Sequence, residues 1–260
     1  MSQSFSSPGP MQPLSIGNVV TAGVRLYRSN LKTYLKLALF AYLWILVPVY
    51  GWAKFAAISG LISRLAFGEL VNQPESVSIA RSKIKPRLWS FFIVGLRVWF
   101  FMILVYFGLL ISALIVAGII GVILGVILGQ FFAAIGIGIV TSVVMLAWVF
   151  GLVWFYSRWM IAEVPLAVED GINAAQSMNR SWELTKTSTL RIQGILLIAF
   201  AITLPILLLF NYLPQIFLIR VEQNSSTYWT IYLISWITSF LGGMFVMPFW
   251  QAIKAVLYYD

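Results

Sequence analysis

"GLRVWFFMILVYFGLLISALIVAGIIGVILGVILGQFFAAIGIGIVTSVVMLAWVFGLVWFY", residues 95–156, carries a single charge, Arg97. Roughly 20 apolar residues in helix cross the hydrocarbon core of a bilayer. From Leu88 to Trp159 the apolar run is long enough for two long helices or three short ones, and it assigns the chain to the membrane. Parity chooses between two and three. Arg81, Lys83, Lys85 and Arg87 precede the run, and Arg158, Arg180, Lys186 and Arg191 end or follow it. Cations gather on the cytoplasmic side of membrane helices. With both groups there, the number of crossings is even, hence two. Arg97 lies about 15 Å along a helix from Arg87 and is expected to snorkel to the same interface.

The rest of the chain agrees. Of 260 residues, 61% are hydrophobic and 10% charged, where soluble domains run near 45–50% and about 25%. The mean hydropathy is +0.93. Residues 1–13, "MSQSFSSPGPMQP", read as a disordered tail and not as a signal peptide, lacking a basic start and an apolar centre. No polar block is long enough for a soluble domain, so 14–260 is expected to form one transmembrane helical domain. The expected fold class is all-α, a polytopic bundle of five or six membrane segments with cytoplasmic amphipathic helices.

Three basic segments each lead into an apolar run. In "GVRLYRSNLKTYLK", 23–36, a helix begun at Ser15 puts Arg25, Arg28, Lys32 and Lys36 within about 80° of arc. Ile16, Val19, Val20, Gly23, Tyr27, Leu31 and Tyr34 fall opposite. Such a helix is expected to lie in the interface with its tyrosines at headgroup level; the alternative is a solvated charged face packed on other helices. The second segment holds Arg81, Lys83, Lys85 and Arg87. The third, "NRSWELTKTSTLR", holds Arg180, Trp182 and Glu183. All three are expected to collar the helix ends at the cytoplasmic headgroup plane, anchored by Trp89, Trp159 and Trp182.

Between the first two collars, 37–67 is interrupted by Pro48, Gly51, Lys54 and Arg64. It is too short for two full spans, but it suffices for a re-entrant hairpin turning at "VPVYGW", 47–52. A hairpin gives six segments and a single span five. Further on, Pro165, Glu169 and Asp170 are expected in the first turn of a helix closed by Lys186. The last two spans are placed at 192–212 and 229–253, with a cytoplasmic C-terminus. Gly121, Gly125 and Gly129, four apart, permit close helix approach, within the chain or between protomers.

"PLSIGNVVTAGVRLYRSN" and "PLAVEDGINAAQSMNRSWELTK" resemble a poorly characterised bacterial family, the glycerophosphoryl diester phosphodiesterase membrane domain. The resemblance implies a multi-span fold over nearly the whole chain from Pro13, in a bacterial inner or an internal membrane. The family name refers to a hydrolase barrel fused to some members. No such barrel is expected here, and without histidine its chemistry does not carry over.

The sequence has no His and no Cys, which removes imidazole bases, thiolates and His or Cys metal ligands. None of its eight acids falls at the centre of an expected span, which argues against a proton relay. No phosphate loop, nucleophile with its base or metal-spaced cluster is visible. Non-enzymatic work is expected, with no cofactor and no metal. The net charge of +9 points to anionic lipid headgroups rather than nucleic acid, because the cations flank apolar runs. Arg180 and Glu183, at i and i+3, are expected to pair beside Trp182. They would serve as a docking point for a partner or lipid head, or as a surface pair worth well under about 1 kcal/mol. The expected function is a scaffold or accessory factor binding anionic lipid, a membrane protein partner or a second copy. The alternative is a permease or lipid-translocating protein.

Overall fold

The computed structural model describes residues 14–260, with side chains throughout except at 128–134; the tail at 1–13 lies outside the described residues. Every regular element described is helical. Helix α1, Ile16–Ser29, begins where the Ser15 hydroxyl accepts the Asn18 N–H at 3.2 Å. Its buried face is Val19, Val20, Gly23 and Leu26; the first three lie on the expected apolar side and Leu26 joins them, whereas Leu31, expected there too, is exposed because the helix breaks at Asn30 and restarts as a second one. Protein covers that face. Gly23 sits on Ile253 of α10, Ser226–Tyr259, and Tyr27 meets Phe249 edge-on at 6.1 Å. Tyr34 is fully buried. Other helices therefore pack on that apolar face, so α1 does not lie with it in lipid.

Helix α2, Leu31–Ile45, continues along α10 in the same antiparallel sense, with Tyr42 edge-on to Phe240 at 5.8 Å. The chain then reverses at 46–49 into α3, Tyr50–Leu70, within the "VPVYGW" stretch. The reversal is a γ-turn. Tyr50 N–H donates to the Pro48 carbonyl at 2.7 Å, and Val49 takes φ 60°, ψ −68°, a conformation strained for a β-branched residue. Leu46 lies beside Ile237, so the tip stops about 16 Å short of the start of α10 at 1.5 Å per residue.

Helix α4, Val77–Ile84, and a 3-10 turn, Lys85–Arg87, lead into α5, Leu88–Trp159. A straight helix would hold Tyr106 and Trp148 about 63 Å apart. Their rings lie 5.2 Å apart, so the run doubles back into two arms. Leu109 against Gly151 and Leu124 against Gly136 show the two arms running antiparallel.

After α5 come α6, Glu163–Val168, and α7, Ala174–Thr185. They are not one helix. Glu169 is extended, Gly171 adopts φ +77°, and Asn173 forms a capping box with Gln176 that restarts the chain. Glu169 and Asp170 thus lie in the connection and not in a first helical turn. Helix α8, Thr189–Leu207, widens into a π-turn, Leu208–Tyr212, before α9, Leu213–Leu218. Pro214 cannot donate to the carbonyl four residues back, which favours the wider turn there. The π-turn packs at Gly242, where a Cβ would come within 2.7 Å of Phe210.

Four helical stretches are long and apolar enough to cross a membrane: Val77–Ile127, Ile135–Val168, Thr189–Leu218 and Ser226–Tyr259. Their inner ends converge with α1, α3, α6 and α7 on one core, where Ile62, Val164, Leu166, Ile195, Ile253 and Val256 are fully buried. The division shows best in α10. Residues from Met247 to Leu257 supply the core, while 226–246 are exposed or half-buried apart from Ser235 and Gly242. That outer part is about 31 Å long, the thickness of a bilayer's hydrocarbon.

Candidate functional site

The helical period decides which cations are free. Residues 83 and 87 fall on one side of the α4 segment, and 81 and 85 on the other. Lys83 reaches Glu75 at 2.7 Å, and Arg87 donates to the carbonyls of Glu169 and Ile172 at 2.8 and 2.6 Å. Both hold the core end together. Arg81 and Lys85 are exposed, and neither belongs to an ion pair among the described residues. The same is true of Arg25, Arg28, Lys32 and Lys36.

Carboxylates are largely committed inside. Arg64 grips Glu75 with two hydrogen bonds of 2.7 and 2.8 Å and adds a third to the Ala167 carbonyl. That guanidinium is the main reason the Glu75 carboxyl is lowered to about 2, with Lys83 assisting against the cost of burial. Lys254 pairs with Glu163 at 2.7 Å, and Arg191 with Asp260. At the base of α3, Glu69 accepts from the Asn30 amide, and burial raises its carboxyl above the ordinary range against the lowering effect of that bond.

Arg81 and Lys85 share a cavity of about 300 Å³ with a third cation, Lys54 of α3. Phe40 and Trp44 of α2 form one wall; Ala57, Ile58, Leu61, Ile84 and Leu88 complete an apolar floor. The Lys54 ammonium lies 5.8 Å from the Trp44 ring centroid and 5.4 Å from that of Tyr50, within cation–π range. Among the described residues no carboxylate lines the cavity. In the sequence Lys54 stands out only as an interruption of the apolar run, and Trp44 does not stand out at all. Their signal is equal spacing about the turn, since both lie five residues from Val49.

The third collar is built differently from its expectation. Arg180 meets Glu169, at 3.4 Å, and no Arg180–Glu183 pair occurs among the described residues. The break at Gly171 folds Glu169 back over α7, closer than the neighbouring turn. Glu183 is exposed. Trp182 faces inward, where it and Trp154 enclose the Arg158 guanidinium at centroid distances of 5.0 and 4.7 Å. Ser181 and Thr185, one turn apart, both donate to the Arg158 carbonyl, at 2.7 and 3.3 Å. Arg158 is thus buried and is no surface cation.

The glycine series does little packing. A Cβ on Gly121 would make ordinary contact with Ile137 at 3.6 Å, and one on Gly125 would meet nothing within 4 Å. The Gly129 side-chain position lies outside the described residues. Close approach occurs instead at Gly23, Gly60, Gly194 and Gly243, against Ile253, Phe91, Ile16 and Tyr42. Within the chain, Gly125→Leu is therefore expected to leave stability within about 0.5 kcal/mol, which thermal unfolding checks.

No protein-family model matches the chain, and no similar curated protein or solved structure was found.

Proposed function

We propose that this is a non-enzymatic membrane scaffold or accessory protein whose basic face holds anionic lipid headgroups. The observation that carries the reading is the sorting of charge. Arg25, Arg28, Lys32, Lys36, Arg81 and Lys85 stand exposed and outside ion pairs among the described residues, while Glu75, Glu163, Glu169 and Asp260 are engaged within the chain. Exposed cations beside apolar helices attract anionic headgroups at about 1 kcal/mol each.

In this reading the core end faces the cytoplasm and the C-terminus lies there too. The four long helices cross, and the α2–α3 hairpin enters one leaflet as a short fifth and sixth segment. Arg220, in the connection between α9 and α10, is then the cation left on the far side, as the positive-inside bias favours. The short motifs that resemble the glycerophosphoryl diester phosphodiesterase membrane domain, though no family model matches the chain, fit the same multi-span layout in a bacterial inner or an internal membrane.

The full chain reconstituted in mixed phosphatidylcholine–phosphatidylglycerol vesicles tests this. Phosphatidylglycerol is expected to be enriched around the protein. Changing Arg25, Arg28, Lys32 and Lys36 together to Gln is expected to reduce that enrichment several-fold. Unchanged enrichment in the variant sinks the lipid-binding face. Lipid or solute movement above that of empty vesicles sinks the scaffold reading in favour of a permease.

A further inference from the structure

The cavity between the α2–α3 hairpin and α4 has a more specific chemistry than a basic surface. Its three cations come from two separate elements: Lys54 from α3, and Arg81 and Lys85 from successive turns of the α4 segment. None is neutralised by a carboxylate among the described residues. Below them lies an apolar floor of Ala57, Ile58, Leu61 and Leu88. Just beyond Lys54 the hairpin tip exposes Leu43, Leu46, Val47, Val49, Tyr50 and Trp52, an apolar wedge with aromatic rings suited to the interface. Lys54 stands one helical turn back from the tip on the side of the core end, so its ammonium reaches toward headgroup level by snorkelling while the wedge enters the acyl region.

We infer that this cavity holds the headgroup of a single phospholipid ending in a phosphate monoester. Three steps lead there. A cluster of three unneutralised cations favours a phosphate, and a monoester carries about −1.5 to −2 charges near neutral pH, against −1 for a diester. Arg81 offers a planar fork that binds two phosphate oxygens, and the two ammonium groups act as point charges around it. The apolar floor and the Phe40 and Trp44 wall then receive the glycerol and first methylenes, which a free phosphate lacks. A volume of about 300 Å³ suits a headgroup and not a whole lipid. The chains would run along the exposed face of α2, past Leu39 and Leu43.

This narrows the lipid-binding reading above and rests on it, so the test separates the two. Full-length protein in phosphatidylcholine nanodiscs is titrated with phosphatidic acid, phosphatidylglycerol and inorganic phosphate, and bound lipid is counted by native mass spectrometry. One saturable equivalent of phosphatidic acid is expected, held at least about tenfold more tightly than phosphatidylglycerol or inorganic phosphate. Changing Lys54, Arg81 and Lys85 to Gln is expected to weaken it about tenfold or more without moving the melting temperature. Arg81→Lys is expected to recover part of the loss. Changing Arg25, Arg28 and Lys32 to Gln should lower bulk phosphatidylglycerol enrichment and leave the phosphatidic acid equivalent within about twofold, because those cations lie outside the cavity.

Equal retention by the cavity variant and the unaltered chain overturns the inference, as does equal binding of phosphatidylglycerol or inorganic phosphate. A cavity variant that loses the lipid only because it unfolds would show a lowered melting temperature; the single Lys85→Gln change then decides, and phosphatidic acid retention unchanged in it also overturns the inference. In each case the wider reading survives if bulk enrichment persists; if no anionic lipid is enriched at all, both fall together.

Discussion

Gly51→Ala is expected to unseat the tip of the α2–α3 hairpin and lower stability by about 2–4 kcal/mol. A Cβ at Gly51 would be driven into the Trp44 carbonyl oxygen and would lie 3.0 Å from the Val47 Cβ. The first neighbour is backbone, held in place by the γ-turn and by the bond from Gly51 N–H to the Val47 carbonyl at 3.0 Å. It has no rotamer by which to withdraw. Helix propensity opposes this, since Ala in a helix gains about 1 kcal/mol over Gly, but the overlap is larger and decides the sign. Val49→Gly should act in the opposite direction. Its φ of 60° stores about 1–3 kcal/mol of strain in a β-branched residue, which Gly relieves. Thermal unfolding in nanodiscs compares the two. If the Gly51→Ala protein melts with the unaltered chain, the tip is not closed as described. The same variant moves Trp44 relative to Lys54, so phosphatidic acid retention should fall with it.

What sequence could show and what it could not divide along one line. Features set within a few turns were legible. Pro48 and Gly51 marked the hairpin reversal, charge parity gave the two arms of 88–159, and the 3.6 period named the buried side of α1. What covers a face was not legible. The apolar stripe of Val19, Val20 and Gly23 satisfies a lipid interface or a neighbouring helix equally well, and only the position of α10 chooses between them. Arg180 shows the same limit. Its near partner at i+3 was visible, but the carboxylate it meets is brought over by Gly171 at positive φ, a backbone event outside α7. Half of the candidate site falls on each side of the line. Arg81 and Lys85 could be found, being four apart, while Lys54 joins them only because α3 packs beside α4. The Arg158 environment was out of reach as well, since its enclosing rings, Trp154 and Trp182, belong to different helices.

Glu75→Gln is expected to cost about 2–3 kcal/mol at pH 7, most of it through Arg64. The Arg64 side chain is only 11% exposed. Its remaining strong partner would be the Ala167 carbonyl at 2.6 Å, so the variant leaves a largely buried cation short of its counter-charge. Lys83 suffers less, being about half exposed and free to turn to water. The pH dependence carries the sign. The Glu75 carboxyl titrates at about 2 in the folded chain, below its ordinary 4.5, so the unfolded chain takes up the proton first. Its contribution is complete above the ordinary value and is lost as pH falls from about 4.5 toward 2. The stability difference between the unaltered chain and the variant should therefore stay flat from pH 7 to 5 and shrink below pH 4.5. Other acids titrate in both proteins and cancel in that difference. Denaturant unfolding of the two proteins in the same micelles, across pH 7 to 3, reads it directly. A difference that stays constant to pH 3 would mean that Glu75 is not held as an anion by Arg64. The loop at 71–76 would then lack its anchor to α3 and, through Arg64, to the last turn of α6, and α4 would no longer be fixed where Arg81 and Lys85 face Lys54.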